Sequence, residues 1–437
     1  MPPRHNEHPL RRALAAEVYA RPFTRLQAPV RASHLALFTG EGDAEADRAH
    51  LAALCARFHA PVPAAGSNFL LADLGDLQVR WERHTEFVTY TFFVTERAPR
   101  SAGGAAGRFR DTVIERVPRD WLETIPGEVI ASLHLELERA ADEALAHEDV
   151  PRVMAAEHFA GGRVGGGAAE AWINFAIGED GFGRVLVRDH HLGTRQAGRL
   201  VQRLCEIETY RMMALLALPL ARRHAPALAT LSGRLEHLTQ ELTRCEGLDS
   251  ERQLLGELTS LSAEMERIAA GTADRFGAAR AYWALVERRI DELREERVEG
   301  FQSIAELMDR RMSPAMRTCE SVAERLDRLS ARVTSAGQLL RARVDIQVEA
   351  QNRNLLASMD RRAHLQLRLQ ETVEGLSVAA ITYYGVGLVA YAAKALEKLG
   401  LLPVSVEAAT GIAIPVIALL VWAGMQRVRR SITRDVG

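Results

Sequence analysis

The stretch LSVAAITYYGVGLVAYAAKAL, Leu376–Leu396, decides the architecture of this chain. It carries one charge, Lys394, near its far end, where a long side chain reaches the interface of a bilayer. A second stretch, Ala408–Met425, contains no charged residue. A membrane helix needs about 20 mostly apolar residues, so we predict a transmembrane hairpin over 376–426 with spans at 376–396 and 404–425. The alternative is a buried core hairpin of a soluble protein.

Arginines flank the two predicted spans on the same side of the hairpin. The loop between the spans carries only Lys394 and Lys398 as basic residues, offset by Glu397 and Glu407. Cytoplasmic flanks of membrane helices are enriched in Lys and Arg, so we expect both termini in the cytoplasm, with a basic tail at 427–437. The flanking arginines are Arg361, Arg362, Arg368, Arg427, Arg429, Arg430 and Arg434.

The amino-terminal residues and the composition argue against several classes of protein, namely secreted, nucleic-acid-binding and cysteine-rich ones. Met1–Pro22 has no apolar run of about 7–15 residues, so we expect no secretory signal, and Leu10–Tyr19 predicts a short amphipathic helix. The net charge of -2 argues against a generally basic nucleic-acid binder. The 4 cysteines form no C-x-x-C pair, which excludes a disulfide scaffold and a cysteine-rich zinc site.

Residues 1–190 carry the pattern of an α+β domain. Helical periodicity covers Glu45–Phe58 and Ala140–His158. The strand order along the chain suggests a pseudo-repeat over 33–94 and 128–188, and we predict a mixed, mostly antiparallel sheet with helices on one face. The predicted strands are Ser33–Thr39, Asn68–Asp73, Leu77–Arg83, Phe87–Thr95, Glu128–Leu137, Glu170–Ile177 and Gly183–Val187.

Residues 191–375 predict long helices. Apolar residues recur at spacings of three and four, which indicates coiled-coil or bundle packing and a homo-oligomer. Ser313 followed by Pro314 is a helix start signal. The arms Ser250–Met312 and Pro314–Leu376 are nearly equal in length, so an antiparallel hairpin and a single kinked stalk both remain open. The four apolar stripes start at Leu228, Leu254, Phe276 and Cys319. The first continues through Leu231, Leu235, Leu238 and Leu242.

Three sequence clusters are candidates for chemistry or binding. In WERHTEF, period two places Glu82, His84 and Glu86 on one strand face, where they would bind a divalent metal; a hairpin turn with paired charges is the simpler alternative. The glycine-rich Gly161–Gly167 lacks the Lys and hydroxyl of a P-loop, which favours a flexible loop. A charged helix presents partner-docking candidates at Arg199, Arg203, Glu206, Glu208 and Arg211.

Several strings resemble the family known as domain of unknown function 3422, a group of bacterial proteins described as membrane-anchored. The resemblance extends from His8 to about Arg430 and implies a bacterial inner-membrane location. It supplies no activity, cofactor or catalytic residue. The strings are HPLRRALAAEVYARPF, VRASHLALF, VRWERHTEFVTYTFF, GFGRVLVRD, RQAGRLVQRLCEIETYRMMALLALPLAR and TVEGLSVAAITYYGVGLVAY.

The layout is also similar to that of CorA-type magnesium channels, which combine an α/β domain, a stalk helix and two spans. Those channels carry Gly-Met-Asn after the first span, and here AAKALEKLGLLPV stands in that place. Small and aromatic residues of the first span would face a pore or, as we favour, pack between membrane helices. These residues are Thr382, Tyr383, Tyr384, Gly385 and Gly387.

Together the patterns favour a non-enzymatic function. We expect an oligomeric scaffold or partner-binding module at the inner membrane, with the lipid bilayer and a cytoplasmic protein as partners, and with no nucleic acid and no cofactor. A divalent cation channel of the CorA type is the alternative.

Overall fold

The computed structural model describes residues 7–12, 14–15, 22–40, 42–95, 108–142, 145–156, 158–245, 247–398 and 404–434, with side chains described up to 427. The chain forms two compact units. The first comprises Met1–Arg244 and Gly256–Gly337, and the second comprises Cys245–Leu255 and Gln338–Gly437. Of the predicted helix Leu10–Tyr19 the structure describes residues 10–12 and 14–15, and of the predicted basic tail it describes the backbone of 427–434, which continues the last helix.

Nine strands of the first unit form one sheet. They are β1 (Val30–Phe38), β2 (Phe69–Asp73), β3 (Gln78–Arg83), β4 (Phe87–Thr95), β5 (Glu128–Arg139), β6 (Ala160–Val164), β7 (Ala169–Ile173), β8 (Gly183–Asp189) and β9 (Glu296–Arg297). Their order is β2-β3-β4-β1-β5-β8-β7-β6-β9, and all neighbours are antiparallel except β5 and β8. The predicted mixed, mostly antiparallel sheet is thereby confirmed.

The observed helices agree less closely with the sequence prediction than the strands do. They are α1 (Ala44–Arg57), α2 (Arg119–Leu122), α3 (Val150–Met154), α4 (Thr194–Leu215), α5 (Ala217–Arg244), α6 (Leu248–Leu293), α7 (Ile304–Arg311), α8 (Ser313–Lys398) and α9 (Val406–Arg434). The overall α+β class, with a sheet followed by long helices and a C-terminal apolar helix, agrees with the prediction.

Both faces of the central strands are covered, so the predicted placement of helices on one face is wrong, and β4 is buried from Phe87 to Val94. Val88, Tyr90 and Phe92 pack in one cluster with Leu51 of α1 and with Trp121. The opposite face of the sheet lies under α4. A strand buried on two faces loses the clean alternation of a half-exposed strand. Each large apolar side chain buried here stabilises the fold by roughly 1.5–3 kcal/mol.

The glycine-rich segment is a strand followed by a tight turn, so the predicted loop is wrong for residues 161–164, which belong to β6, and right for Gly165–Gly167. Gly161 lies in β6, where a Cβ would stand 2.1 Å from the carbonyl oxygen of Ala171 in β7. Only glycine permits this approach. Gly165, Gly166 and Gly167 have φ of 66°, 71° and 80° and form the β6–β7 turn. Strand patterning fails in β6 because glycine contributes no side chain to alternate.

The pseudo-repeat is present in strand order but not in strand direction. Each half places its first strand beside its last, β1 beside β4 and β5 beside β8, but the first pair is antiparallel and the second parallel. Among the described residues of the predicted helix Ala140–His158, only a 3-10 turn at His147–Asp149 and the five-residue α3 are helical. Pro151 lies in the first turn of α3, where its missing N–H would have no helical partner, and α3 ends where Ala155 adopts a left-handed φ of 50°.

The helix α4 approaches the amino-terminal segment of the chain at a glycine. A Cβ built on Gly198 would lie 1.7 Å from the carbonyl oxygen of Thr24, and the N–H of Leu26 donates to the carbonyl of Thr194 at 3.1 Å. No side chain fits between these two backbones. The glycine therefore sets the distance between α4 and the segment that leads into β1.

The later helices bury the predicted apolar stripes. The stripes on α5, α6 and α8 are buried at most positions, and α8 begins at Ser313, as its start signal predicts. The two-residue β9 joins the sheet beside β6 in a region where no strand was expected, because so short a strand leaves no periodic signal. Coiled-coil packing itself stays a prediction. Buried stripe residues include Leu228, Leu231, Leu235, Leu238, Leu258, Leu261, Met265, Cys319, Val322, Leu326, Leu329 and Val333.

In the second unit, the first turn of α6 lies against α8. The buried carboxylate of Glu251 is 3.0 Å from Nη2 of Arg343, and Leu340 beside it is fully buried. This contact favours the antiparallel hairpin over a single stalk for this part of the helices. Beyond Arg343, α8 carries exposed apolar residues at Ile346, Leu355, Leu356, Met359, Leu365, Leu367, Leu369 and Val373.

Two helices are long and apolar enough to cross a membrane, one within Ile304–Glu397 and one at Val406–Arg427. In the most apolar 18-residue stretch of each helix, only 6% and 0% of the residues are buried inside the protein. A core helix of a soluble protein would be mostly buried, so this property separates the two helices from that class. Gly385 of α8 lies against α9, where an added Cβ would stand 2.9 Å from Cγ2 of Ile417.

We predict opposite effects for two helical Gly→Ala substitutions. Gly198→Ala forces α4 away from Thr24 and should lower the free energy of unfolding by about 2–3 kcal/mol or more. Gly233→Ala in α5, where nothing lies within 4 Å of the added Cβ, should raise it by up to about 1 kcal/mol through helix propensity. Thermal unfolding of the detergent-solubilised chain measures both, and equal effects would contradict the close contact at Gly198.

Candidate functional site

Polar side chains collect between the sheet and α4. His34 of β1, Arg80 and Glu82 of β3 and Thr91 of β4 are all buried on the sheet face opposite the α1 cluster. They line a cavity of about 30 Å³ together with residues of α4. A space of roughly 10–15 Å³ holds one water molecule, so the cavity accommodates water rather than an organic ligand.

His34 joins three elements of the first unit. Its Nδ1 lies 2.8 Å from Oγ1 of Thr91, and its Nε2 lies 3.0 Å from Oγ1 of Thr209 on α4. The Thr209 hydroxyl donates to the carbonyl of Cys205 at 2.9 Å. Thr209 therefore accepts from Nε2–H of His34, and Nδ1 accepts from Thr91. Burial lowers the pKa of His34 to about 4, against the opposing charge of Glu82, so the ring is neutral at neutral pH.

Arg80 and Glu82 form a buried ion pair beside the histidine. Nη2 of Arg80 donates to Oε1 of Glu82 at 2.8 Å, and Nη1 donates to the carbonyl of Pro22 at 2.7 Å. The guanidinium thus fastens the segment before β1 to the sheet. Removing one partner of such a pair leaves an uncompensated buried charge, which typically costs about 3–5 kcal/mol.

The cysteine in this cavity is a protonated thiol. Burial raises the pKa of Cys205 to about 12, with a further rise from Glu206. The thiolate is the nucleophilic form of cysteine, and almost none of it exists at neutral pH with such a pKa. Cys205 therefore contributes packing here.

The WERHTEF candidates lie on the β3–β4 hairpin and point to different partners. Glu82 and His84 both line the cavity, and the His84 ring stacks on Phe87 with 4.2 Å between centroids. Glu86 instead pairs with Arg275 of α6 and accepts from the Tyr282 hydroxyl at 3.1 Å. Burial, followed by the charge of Glu86, raises the pKa of Tyr282. Within the described part of the chain, no group of three metal-ligating side chains comes together.

The docking candidates on α4 engage other parts of the same chain. Nε of Arg203 lies 3.0 Å from Oε2 of Glu292 on α6, and Glu206 pairs with Arg289 on the same helix. Glu208 and Arg211 pair with each other. The guanidinium of Arg199 lies over the ring of Phe23 at 5.9 Å. Much of this charged face thus fastens α4 to α6, and a partner protein at these residues stays a prediction.

The small and aromatic residues of the first apolar segment differ in their surroundings, which bears on whether they line a pore or pack between helices. Tyr383 and Tyr384 are 76% and 72% exposed and point away from the protein. Gly385 contacts Ile417, whereas Gly387 has open space around it. In the described residues, Oγ1 of Thr382 is buried without a hydrogen-bond partner. Helix packing through a small residue is therefore observed at Gly385.

Sequence reasoning did not identify His34, Thr91 and Thr209 as a connected set. The available signal is a polar residue inside an apolar strand, as in SHLALF for His34 and TYTFF for Thr91. That signal gives the face of each strand but not the helix that covers it. The contact between His34 and Thr209 spans 175 positions of sequence, so no local pattern predicts it.

We predict that stability falls as the pH drops from about 6.5 to 4. The pKa of His34 is lowered from 6.5 to about 4 in the folded state, so the unfolded chain binds the proton first and acid favours unfolding. The contribution reaches roughly 3 kcal/mol at the acid end. Denaturation of the detergent-solubilised protein across this range measures it. His34→Gln should reduce the pH dependence, to which His134, whose pKa burial also lowers to about 4, contributes as well. His237→Gln, at a largely exposed position on α5, should leave it unchanged; equal slopes in all three proteins would contradict the role of His34.

Comparison with known proteins yields one match. The family described as "Protein of unknown function (DUF3422)" matches residues 6–432. No curated protein and no solved structure matches the chain, so the architectural similarity to CorA-type channels gains no support. Because the match covers nearly the whole sequence, this chain belongs to the DUF3422 family.

Proposed function

We propose that this protein is a membrane-anchored scaffold whose helical hairpin holds the sheet domain at the cytoplasmic face. The observation that carries the proposal is the exposure of the two C-terminal apolar helices, which bury almost none of their apolar windows in protein. Exposed leucines such as Leu388 and Leu420 are unfavourable in water by roughly 1.5–3 kcal/mol each relative to a buried position. A bilayer removes that cost.

The distribution of charge supports a cytoplasmic position for both ends of the hairpin. Arg361, Arg362 and Arg368 precede the first apolar segment, and Arg427 with three further arginines follows the second. Basic residues next to membrane helices remain on the cytoplasmic side. The connection between the helices is short and balanced in charge, so little of the chain crosses to the other side.

The middle of α8 supports self-association. Leu355, Leu356 and Met359 are each at least 61% exposed, although they lie before the predicted membrane segment. A second copy of this helix would cover them and convert the apolar stripe into an interface. We therefore propose a homo-oligomer built through α8.

The buried polar groups of the first unit support a structural role over an enzymatic one. His34, Arg80 and Glu82 use their polar atoms to join strands, α4 and the segment before β1. We propose that the sheet domain offers its outer surface to a cytoplasmic protein.

Membrane extraction tests the anchor. The full chain should stay in the membrane pellet through an alkaline carbonate wash and leave it only with detergent. Leu388→Arg with Leu420→Arg places two charges in the apolar helices at about 2.5–3.5 kcal/mol each and should move much of the protein to the wash. Leu355→Arg, outside the predicted spans, is the matched control. Release of the unsubstituted chain by carbonate would overturn the anchor.

Light scattering of the same solubilised particle, with detergent mass subtracted, tests self-association. The proposal predicts at least two copies per particle and a smaller particle in the Leu355→Arg variant. A monomer would refute the oligomer. A closed ring of about five subunits would favour the cation channel, because several chains with two spans each are needed to surround a pore.

A further inference from the structure

A cavity of about 220 Å³ lies in the first unit at the amino-terminal end of α4. Gln196, Arg199 and Arg203 of α4 line one side, and Glu292 and Arg294 at the end of α6 line the other. Gly165 of the β6–β7 turn also contributes to the wall. Three of these side chains are guanidinium groups and one is a carboxylate, so the lining carries an excess of positive charge.

The carboxylate does not neutralise that excess. Glu292 is shared by three guanidinium groups, with Nε of Arg203 at 3.0 Å, Nη1 of Arg289 at 3.1 Å and Nε of Arg288 at 3.3 Å. Burial opposes its ionisation, but Arg289 and Arg203 outweigh burial and hold the pKa of Glu292 below its usual value. The single negative charge of Glu292 is therefore shared among arginines whose side chains it positions.

Arg199 and Arg294 remain available to a ligand. Among the described residues, no carboxylate pairs with either guanidinium, and Arg199 only lies over the face of Phe23. A cation held over a ring keeps its N–H groups free at the edge of the guanidinium plane. Two such groups beside one cavity repel each other, and an anion between them relieves the repulsion. Planar guanidinium groups bind phosphate oxygens in pairs of hydrogen bonds.

The backbone adds to the positive potential. The lining residues Gln196, Arg199 and Arg203 lie in the first three turns of the 22-residue α4, and the helix dipole places about half a positive charge at that end of the helix. Gly166 and Gly167 in the adjacent turn have nothing within 4 Å of an added Cβ.

We propose that this cavity binds a phosphate monoester group, with Arg199 and Arg294 as its ligands and Arg203, held by Glu292, as the third cation. Sites for whole drug-sized ligands measure roughly 300–1,000 Å³, so the cavity receives the phosphate group and leaves the remainder of the molecule outside. Two sources share this chemistry, a soluble phosphate ester and the headgroup of an anionic lipid. The site would give the scaffold a ligand-dependent surface beside the contact between α4 and α6.

Isothermal titration calorimetry of the full chain in detergent tests the site with two probes. One probe is inorganic phosphate, and the other is short-chain phosphatidic acid. Arg199→Gln combined with Arg294→Gln removes two charge-assisted contacts and should weaken binding by at least about tenfold. Arg195→Gln, on an exposed residue of the same helix that does not line the cavity, should bind like the unsubstituted protein.

A second variant is expected to bind phosphate more tightly, and misfolding cannot produce that result. Glu292→Gln removes the negative charge and keeps the shape of the side chain, so phosphate should bind about threefold tighter or better. The tighter of the two probes identifies the source of the phosphate. Absence of binding for both probes, or equal affinity in the Arg199/Arg294 variant and the Arg195 control, would overturn the site. Binding is measured without reference to anchoring or oligomer size, so this result is independent of the scaffold proposal.

Discussion

The apolar side chains of the last two helices require a cover that the described part of the chain does not supply. Their most apolar windows bury 6% and 0% of their residues in protein, and the contact between Gly385 and Ile417 holds the two helices together without covering their outer sides. Water is a poor solvent for such a surface, whereas hydrocarbon is a good one. The first of these apolar segments is part of α8, which continues without interruption from Ser313 to Lys398.

The first unit is organised around a helix that packs on the sheet. Gly198 permits α4 to approach the backbone of Thr24, and His34 fastens the same helix to β1 and β4 through two threonines. Arg203 and Glu206 then join α4 to α6. The helix thus lies between the sheet and the long helices. A ligand at its amino-terminal end would act on all three.

Sequence pattern predicted the elements whose residues alternate or recur regularly. The strands β3 and β4, the start of α8 at Ser313 and the apolar segments follow from period two, a start signal and hydropathy respectively. The sequence pattern did not predict β6, because its glycines have no side chains that could alternate. The close approach of Gly161 to the carbonyl of Ala171 explains why glycine is needed there. The helix expected at Ala140–His158 is reduced to α3, which begins at Val150 with Pro151 in its first turn and ends at the left-handed Ala155.

The candidate sites were less predictable than the fold. Glu82 and His84 do lie at one cavity, but Glu86 turns to α6, since a hairpin turn rather than a straight strand separates them. The arginine-lined cavity combines Gly165, Arg199 and Arg294 from three separate elements. The glycine-rich segment and Arg199 stand out in the sequence, but only the tertiary structure places them beside Arg294.

The orientation of the hairpin is the central claim, and site-directed cysteine labelling tests it most directly. Ser405→Cys lies between the two apolar helices, and Gln351→Cys lies on an exposed position of α8 before them. The account predicts that a membrane-impermeant maleimide labels the cysteine at 405 in intact cells, and labels the cysteine at 351 only after the membrane is opened. Labelling of both positions in intact cells, or of neither until the membrane is opened, would contradict a hairpin that crosses the membrane twice from the cytoplasm.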